Sequence, residues 1–297
     1  MTTQEFSNTF DTLLNSYASQ AVFGEGASKQ EVVLDEYEKS VLLTQAQDLI
    51  VKNYFYGTQN PQGQGFDDSI IRQVDFSSLI KTYELEETEG TDTVFDDRGI
   101  VYQMPPRIIK KPSGVTFAEG QTIDTSGKYE KIDGDNDHVI VIGSTDVLYI
   151  LNEKLIVKDA DTHNTTGEYV IVPLNYKEYD RGMSKAYGQP LKKQAWRLFQ
   201  NQSTEFDVQS ELIPDWQTSA GLKATPATLE AIYRVRYVKR PDPIVLVNLP
   251  DGLTIDGITS ESQCTLNPIV HMDILNKAVE IALSTRGRVA APSRREE

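Results

Sequence analysis

The chain has 297 residues, with 29 Lys+Arg against 44 Asp+Glu for a net charge of −15, and 39% of its residues are hydrophobic. A chain of this length can remove roughly 75% of its extended surface from water, so a core forms without staples. The single cysteine, Cys264, excludes an internal disulfide and any multi-thiolate metal site and fits a reducing compartment. Residues 1–100 hold 18 acids and 6 bases, the reverse of the basic footprint of a protein that grips phosphates. The longest apolar runs, Val139–Ile142 and Ile244–Val247, are strand-sized and far short of the ~20 residues that span a bilayer. The opening MTTQEFSNTF has neither the basic nor the apolar region of a secretory signal, so none is expected.

Phe6, Phe10, Leu13, Leu14 and Tyr17 recur at helical spacing and predict a helix from residue 4 to about residue 20, ended by Gly24 and Gly26. Asp35 with Glu38 three residues on is an acidic capping box. It opens a second helix whose expected apolar face is Tyr37, Val41, Leu42, Ala46, Leu49, Ile50 and Asn53, closed by Gly57. Asn60–Gly65 breaks the chain. The dense acidic run from Glu84 to Glu89, continued by Asp92, Asp96 and Asp97, reads as a solvated loop. From residue 93 onward the texture changes to β-branched and aromatic runs between turn residues. Strands are predicted at 100–104, 107–111, 138–143, 146–151, 154–158, 168–173, 232–239 and 244–249. Pro268 opens a last helix with Ile269, Met272, Ile274, Leu275, Val279, Ala282 and Leu283 on its apolar face and Gly287 as its cap.

The chemistry-bearing motifs fail on spacing. Asp133, Asp135 and Asp137 begin like a calcium loop, but His138 stands where the turn glycine belongs and Ser144 where the bidentate glutamate belongs. Gly24–Lys29 has neither the spacing of a phosphate-binding loop nor a preceding strand. His138, His163 and His271 are scattered, Cys264 has no nucleophile signature around it, and Gly-x-Ser-x-Gly is absent. No catalytic residue, cofactor or metal is expected.

Two stretches are richer. Tyr176, Tyr179, Arg181, Tyr187, Trp196 and Arg197 fall within 22 residues, and Tyr, Trp and Arg are the types enriched at interface hot spots. Ordinary core is the competing reading, and a long excursion from the β-rich part over 174–200 would expose them. Farther on, Arg234 and Arg236 alternate with Tyr233, Val235 and Tyr237, so one strand face is basic and needs acidic neighbours from the same or another subunit.

Leu34–Gln47, Val172–Arg181, Pro190–Arg197, Tyr237–Ile244 and His271–Ala282 together resemble the structural ring proteins of crAss-like tailed bacteriophages, over about residues 5 to 285. The resemblance implies a non-enzymatic virion component at the tail or head-tail junction. Such proteins are stacked beneath the portal protein as dodecameric homo-oligomeric rings, contact other ring or tail proteins, and surround a channel through which packaged DNA passes without specific binding. No membrane partner is implied. The alternative is a tail-associated β-rich carbohydrate-binding module, with aromatic platforms and paired carboxylates.

The expected fold is α+β, with N-terminal helices and a C-terminal helix packed on a mainly antiparallel β-barrel or sandwich. Its expected parts are a helical part, 1–92 with 265–287; a β-rich part, 93–264; and a tail, 288–297. The expected subunit interface is Tyr176, Tyr179, Arg181, Tyr187, Trp196, Arg197, Arg234 and Arg236.

Overall fold

The computed structural model describes residues 1–21, 33–55, 74–85, 99–112, 114–183, 190–201, 208–215, 229–250 and 252–289. Among them are helices α1 (Thr3–Ala21), α2 (Glu36–Phe55), α3 (Tyr176–Met183) and α4 (Pro268–Val289). The strands are β1 (Ile80–Leu85), β2 (Ile100–Gln103), β3 (Pro106–Lys110), β4 (Tyr129–Lys131) and β5 (His138–Thr145), then β6 (Val147–Asp159), β7 (Thr165–Pro173), β8 (Gln194–Asn201), β9 (Val208–Pro214) and β10 (Leu229–Lys239). The chain divides into two compact units, one of residues 1–79, 110–115 and 241–297 and the other of residues 80–109 and 116–240. The fold is α+β.

In the first unit, α2 opens on the expected capping box. The Glu38 amide donates to Asp35 Oδ1 at 2.7 Å and the Asp35 amide to Glu38 Oε2 at 3.4 Å. The buried face of α2, however, is Lys39, Ser40, Leu43, Thr44, Ala46, Gln47, Ile50 and Val51, and Leu49 is exposed. Polar residues occupy that face because they satisfy backbone groups of the segment that follows β10. Gln47 Nε2 donates to the Asp242 carbonyl at 2.8 Å, the Ile244 amide to Thr44 Oγ1 at 3.1 Å and the Leu246 amide to Ser40 Oγ at 3.0 Å. These bonds also explain why 244–249 is not a strand: its polar groups are taken up by α2 side chains and by a single bridge, Val245 to Ser262. The compact units divide at 79/80 and 240/241, and residues 80–85 lie in the sheet as β1.

On α1, Phe6, Phe10 and Leu14 are buried as expected, whereas Tyr17 is exposed. Lys39 is buried beneath α1, its Nζ donating to Asp11 at 2.7 Å, Glu36 at 3.0 Å and Ser7 Oγ at 3.1 Å. Burial opposes its charge, and the bonds to Asp11 and Glu36 outweigh that and hold the ammonium above its usual range. α4 buries Val270, His271, Ile274, Leu275, Ala278, Val279 and Ala282, leaves Ile269 and Met272 exposed, and runs through Gly287, which is no cap.

The second unit holds a seven-stranded sheet in the order β1-β10-β6-β7-β8-β9-β2 and a three-stranded sheet in the order β3-β5-β4. The larger sheet is curled into a half-barrel and is mainly antiparallel, as expected. Every pairing in it is antiparallel except β7 with β8. That exception accounts for residues 174–200, because a parallel pair requires a crossover and α3 supplies it. The segment is a β7-α3-β8 unit of the sheet, and β8 lies at the sheet's interior. One sheet face carries the core of Tyr102, Leu155, Ala195, Leu212, Tyr233 and Val235 with their neighbours. The other face carries Trp196, Leu198 and Ile213 against Tyr179 and Leu174.

Candidate assembly surface

The described sequence-predicted interface residues fall into four environments. Tyr179 and Trp196 pack edge to face, 6.5 Å between centroids, and Trp196 also closes on Gly182, where an added Cβ would lie 3.4 Å from its Cη2. Their rings pack against each other within the chain. Tyr176 is exposed, its hydroxyl donating to the Phe199 carbonyl at 2.6 Å, and Arg181 on the same helix is exposed as well. Tyr187 lies outside the described residues.

Arg197 alternates with Trp196 along β8, so it faces the half-barrel core and is buried there. Its Nε stands 2.8 Å from Glu153 Oε2, with the two side chains 8% and 10% exposed. The approach is off the hydrogen-bond direction, so the contact is chiefly Coulombic. Tyr233 donates its hydroxyl to the same carboxylate oxygen at 2.6 Å, and the guanidinium lies 4.1 Å from the centre of the Phe199 ring. Burial first, and then the Glu153 charge, pushes the Tyr233 phenol far up. Glu153 escaped the sequence reading because the predicted strands stop at 151 and resume at 154. The alternation Leu151, Glu153, Leu155, Val157 within one continuous β6 would have placed it on the inward face.

Arg234 and Arg236 are exposed on the opposite face, and their acidic neighbour is internal. Arg234 Nε donates to Glu84 on the adjacent strand at 2.8 Å, and Arg236 Nε reaches Thr82 Oγ1 at 3.4 Å. Lys154 pairs with Glu168 at 2.9 Å and, together with Arg234, holds that carboxyl below its usual range. The basic strand face is thus largely neutralised within its own sheet.

The Asp133–Asp137 run is a turn. Asp135 accepts from the amides of Asp137 at 2.7 Å and His138 at 3.1 Å and from the His138 ring at 2.9 Å, with the Asp137 amide foremost in holding its carboxyl low. No group of three or more metal-ligating side chains is found among the described residues, and none of their helices is long and apolar enough to cross a membrane.

The Arg234 and Lys154 charges on the strand face are thus met within the chain, and Tyr179 and Trp196 are used for packing. The chain belongs to the phage tail ring protein 3/4 family, whose profile matches residues 1–143 and 116–294. It is 37% identical to ring protein 4/5 of Bacteroides phage crAss001 over 291 residues, covering 95% of this chain and 92% of that protein. It is 29% identical to ring protein 3 of the same phage over 290 residues, covering 96% of each. It is a structural ring protein of the crAss-like phage type and a virion component.

Proposed function

We propose that this chain forms a closed ring in the portal-to-tail connector, surrounding the DNA channel, in twelve copies, with the portal protein and other ring or tail proteins as axial neighbours. The observation that carries the reading is that two different ring proteins of one phage each align with nearly the whole chain. That pattern fits a stack of related rings built on one subunit fold. The role is non-enzymatic: it asks for rigid packing and a surface that does not hold phosphate, and the net charge of −15 suits DNA sliding past without being gripped.

A head-to-tail contact repeated by rotation closes into a ring, and an obligate one buries on the order of 2,000 Å² or more. Imaging of the intact virion tests the proposal, with the expected result a single ring of this chain on the axis between portal and tail. Copies scattered over the capsid, or density of this chain away from the axis, would refute it.

A further inference from the structure

The second unit carries two unlike surface features that complement each other in charge. The first is the turn just before β8, at residues 190–193. Leu191 is 70% exposed at this turn and Val170, on the adjoining strand, is 64% exposed. The turn is fixed at both sides: the Gln194 amide donates to the Leu191 carbonyl at 2.9 Å, the Val170 amide to the Lys193 carbonyl at 3.0 Å and the Lys193 amide to Asp215 Oδ2 at 2.9 Å. Lys193 is held at φ 61°, a left-handed conformation that a side-chain-bearing residue adopts only when its surroundings impose it. The backbone thus presents an outward leucine, flanked by Lys192 and Lys193, whose side chains make no ion pair among the described residues. Lys154, cross-strand from Val170, adds a third ammonium that is already paired with Glu168.

The second feature is the lobe of residues 116–138, with six carboxylates and two lysines. Asp124 is buried at its base, accepting from the amides of Ser126, Lys128 and Tyr129, which fixes the loop. Among the described residues Glu119, Glu130, Asp133 and Asp137 make no ion pair, and Ile123, bridged to Glu130, is 48% exposed. An exposed Ile123 bridged to Glu130, in a lobe rich in carboxylates, therefore answers an exposed Leu191 next to Lys192 and Lys193 and an exposed Val170 cross-strand from Lys154.

A head-to-tail contact joins two different patches of the same chain, unlike a two-fold contact, which needs one self-complementary patch. We propose that the Leu191 turn of one copy docks on the 116–138 lobe of the next copy, with Leu191 and Val170 meeting Ile123 and with Lys192 and Lys193 facing Asp133, Asp137 and Glu130. This contact rests on the ring reading and specifies which surfaces close it. Its desolvated centre supplies the affinity and its charged rim the register.

Zero-length carbodiimide coupling of purified virions, followed by peptide mass spectrometry of dimer-sized adducts of this chain, tests it. The expected links join Lys192 or Lys193 to Asp133, Asp137 or Glu130 in the dimer band and are absent from the monomer band. The Lys154–Glu168 pair, 2.9 Å apart within one chain, is the internal control that the reagent has reacted. Dimer adducts joined only through other residues, or the control link without any dimer adduct, overturn the contact and leave the ring itself standing. Loss of the ring from virion images overturns both.

Discussion

Replacing Arg197 by methionine isolates the strongest electrostatic commitment in the half-barrel. The Arg197 and Glu153 side chains are 8% and 10% exposed, with Nε and Oε2 2.8 Å apart. Charge centres about 4 Å apart attract by about 4 kcal/mol at an effective dielectric of 20, and both groups have surrendered hydration to be there. With Arg197 gone, the Glu153 carboxylate keeps, among the described residues, the Tyr233 hydroxyl as its donor and must stay buried without a counter-charge or take up a proton. The expected cost is about 3–5 kcal/mol. Pairing the change with Glu153→Leu removes the stranded charge, so the double variant should recover most of that loss. Urea unfolding of the purified chain, followed by circular dichroism at pH 7.5, reads both numbers. A single-variant loss below about 1 kcal/mol, or a double variant no more stable than either single one, would refute the reasoning.

Trp196→Ala should lower the stability of the isolated chain by about 3 kcal/mol, because the ring is packed against Tyr179, Leu198 and Ile213; unchanged unfolding with failed assembly would instead make Trp196 a subunit anchor. His271 is buried against Phe6, its Nε2–H donating to the Leu266 carbonyl at 3.1 Å, and burial, aided by the amino terminus, holds its pKa below the usual imidazole value. Because the unfolded chain binds that proton more readily, this contribution is complete above about pH 6.5 and is lost as pH falls through the lower folded value. The stability of His271→Phe should therefore fall less between pH 7.5 and 5.5 than that of the wild type, and equal slopes would contradict this. The Cys264 thiol, pushed up to about 11 by burial and donating to Gln47 Oε1 at 3.3 Å, should resist iodoacetamide at pH 8 in the folded chain and react once it is unfolded in urea. Labelling of the native protein at the unfolded rate would count against that burial.

Helical spacing was enough to place α1, α2 and α4, because Phe6, Phe10 and Leu14 or Ile274, Leu275 and Val279 need only local geometry to share a face. Asp35 and Glu38 announced a cap for the same reason: capping spans three residues. The family resemblance was equally legible. What tertiary structure decided is where polar residues go. Ser40, Thr44 and Gln47 are buried because the segment after β10, some 200 residues later in the chain, needs donors and acceptors for its backbone, and no local period encodes that. Trp196 and Arg197 are adjacent in sequence, and their cluster resembled an exposed interface. The pairing of β8 between β7 and β9 sends one ring under α3 and the other side chain to Glu153. Because alternate strand residues face opposite sides of a sheet, only strand order could tell which side of the chain each would meet.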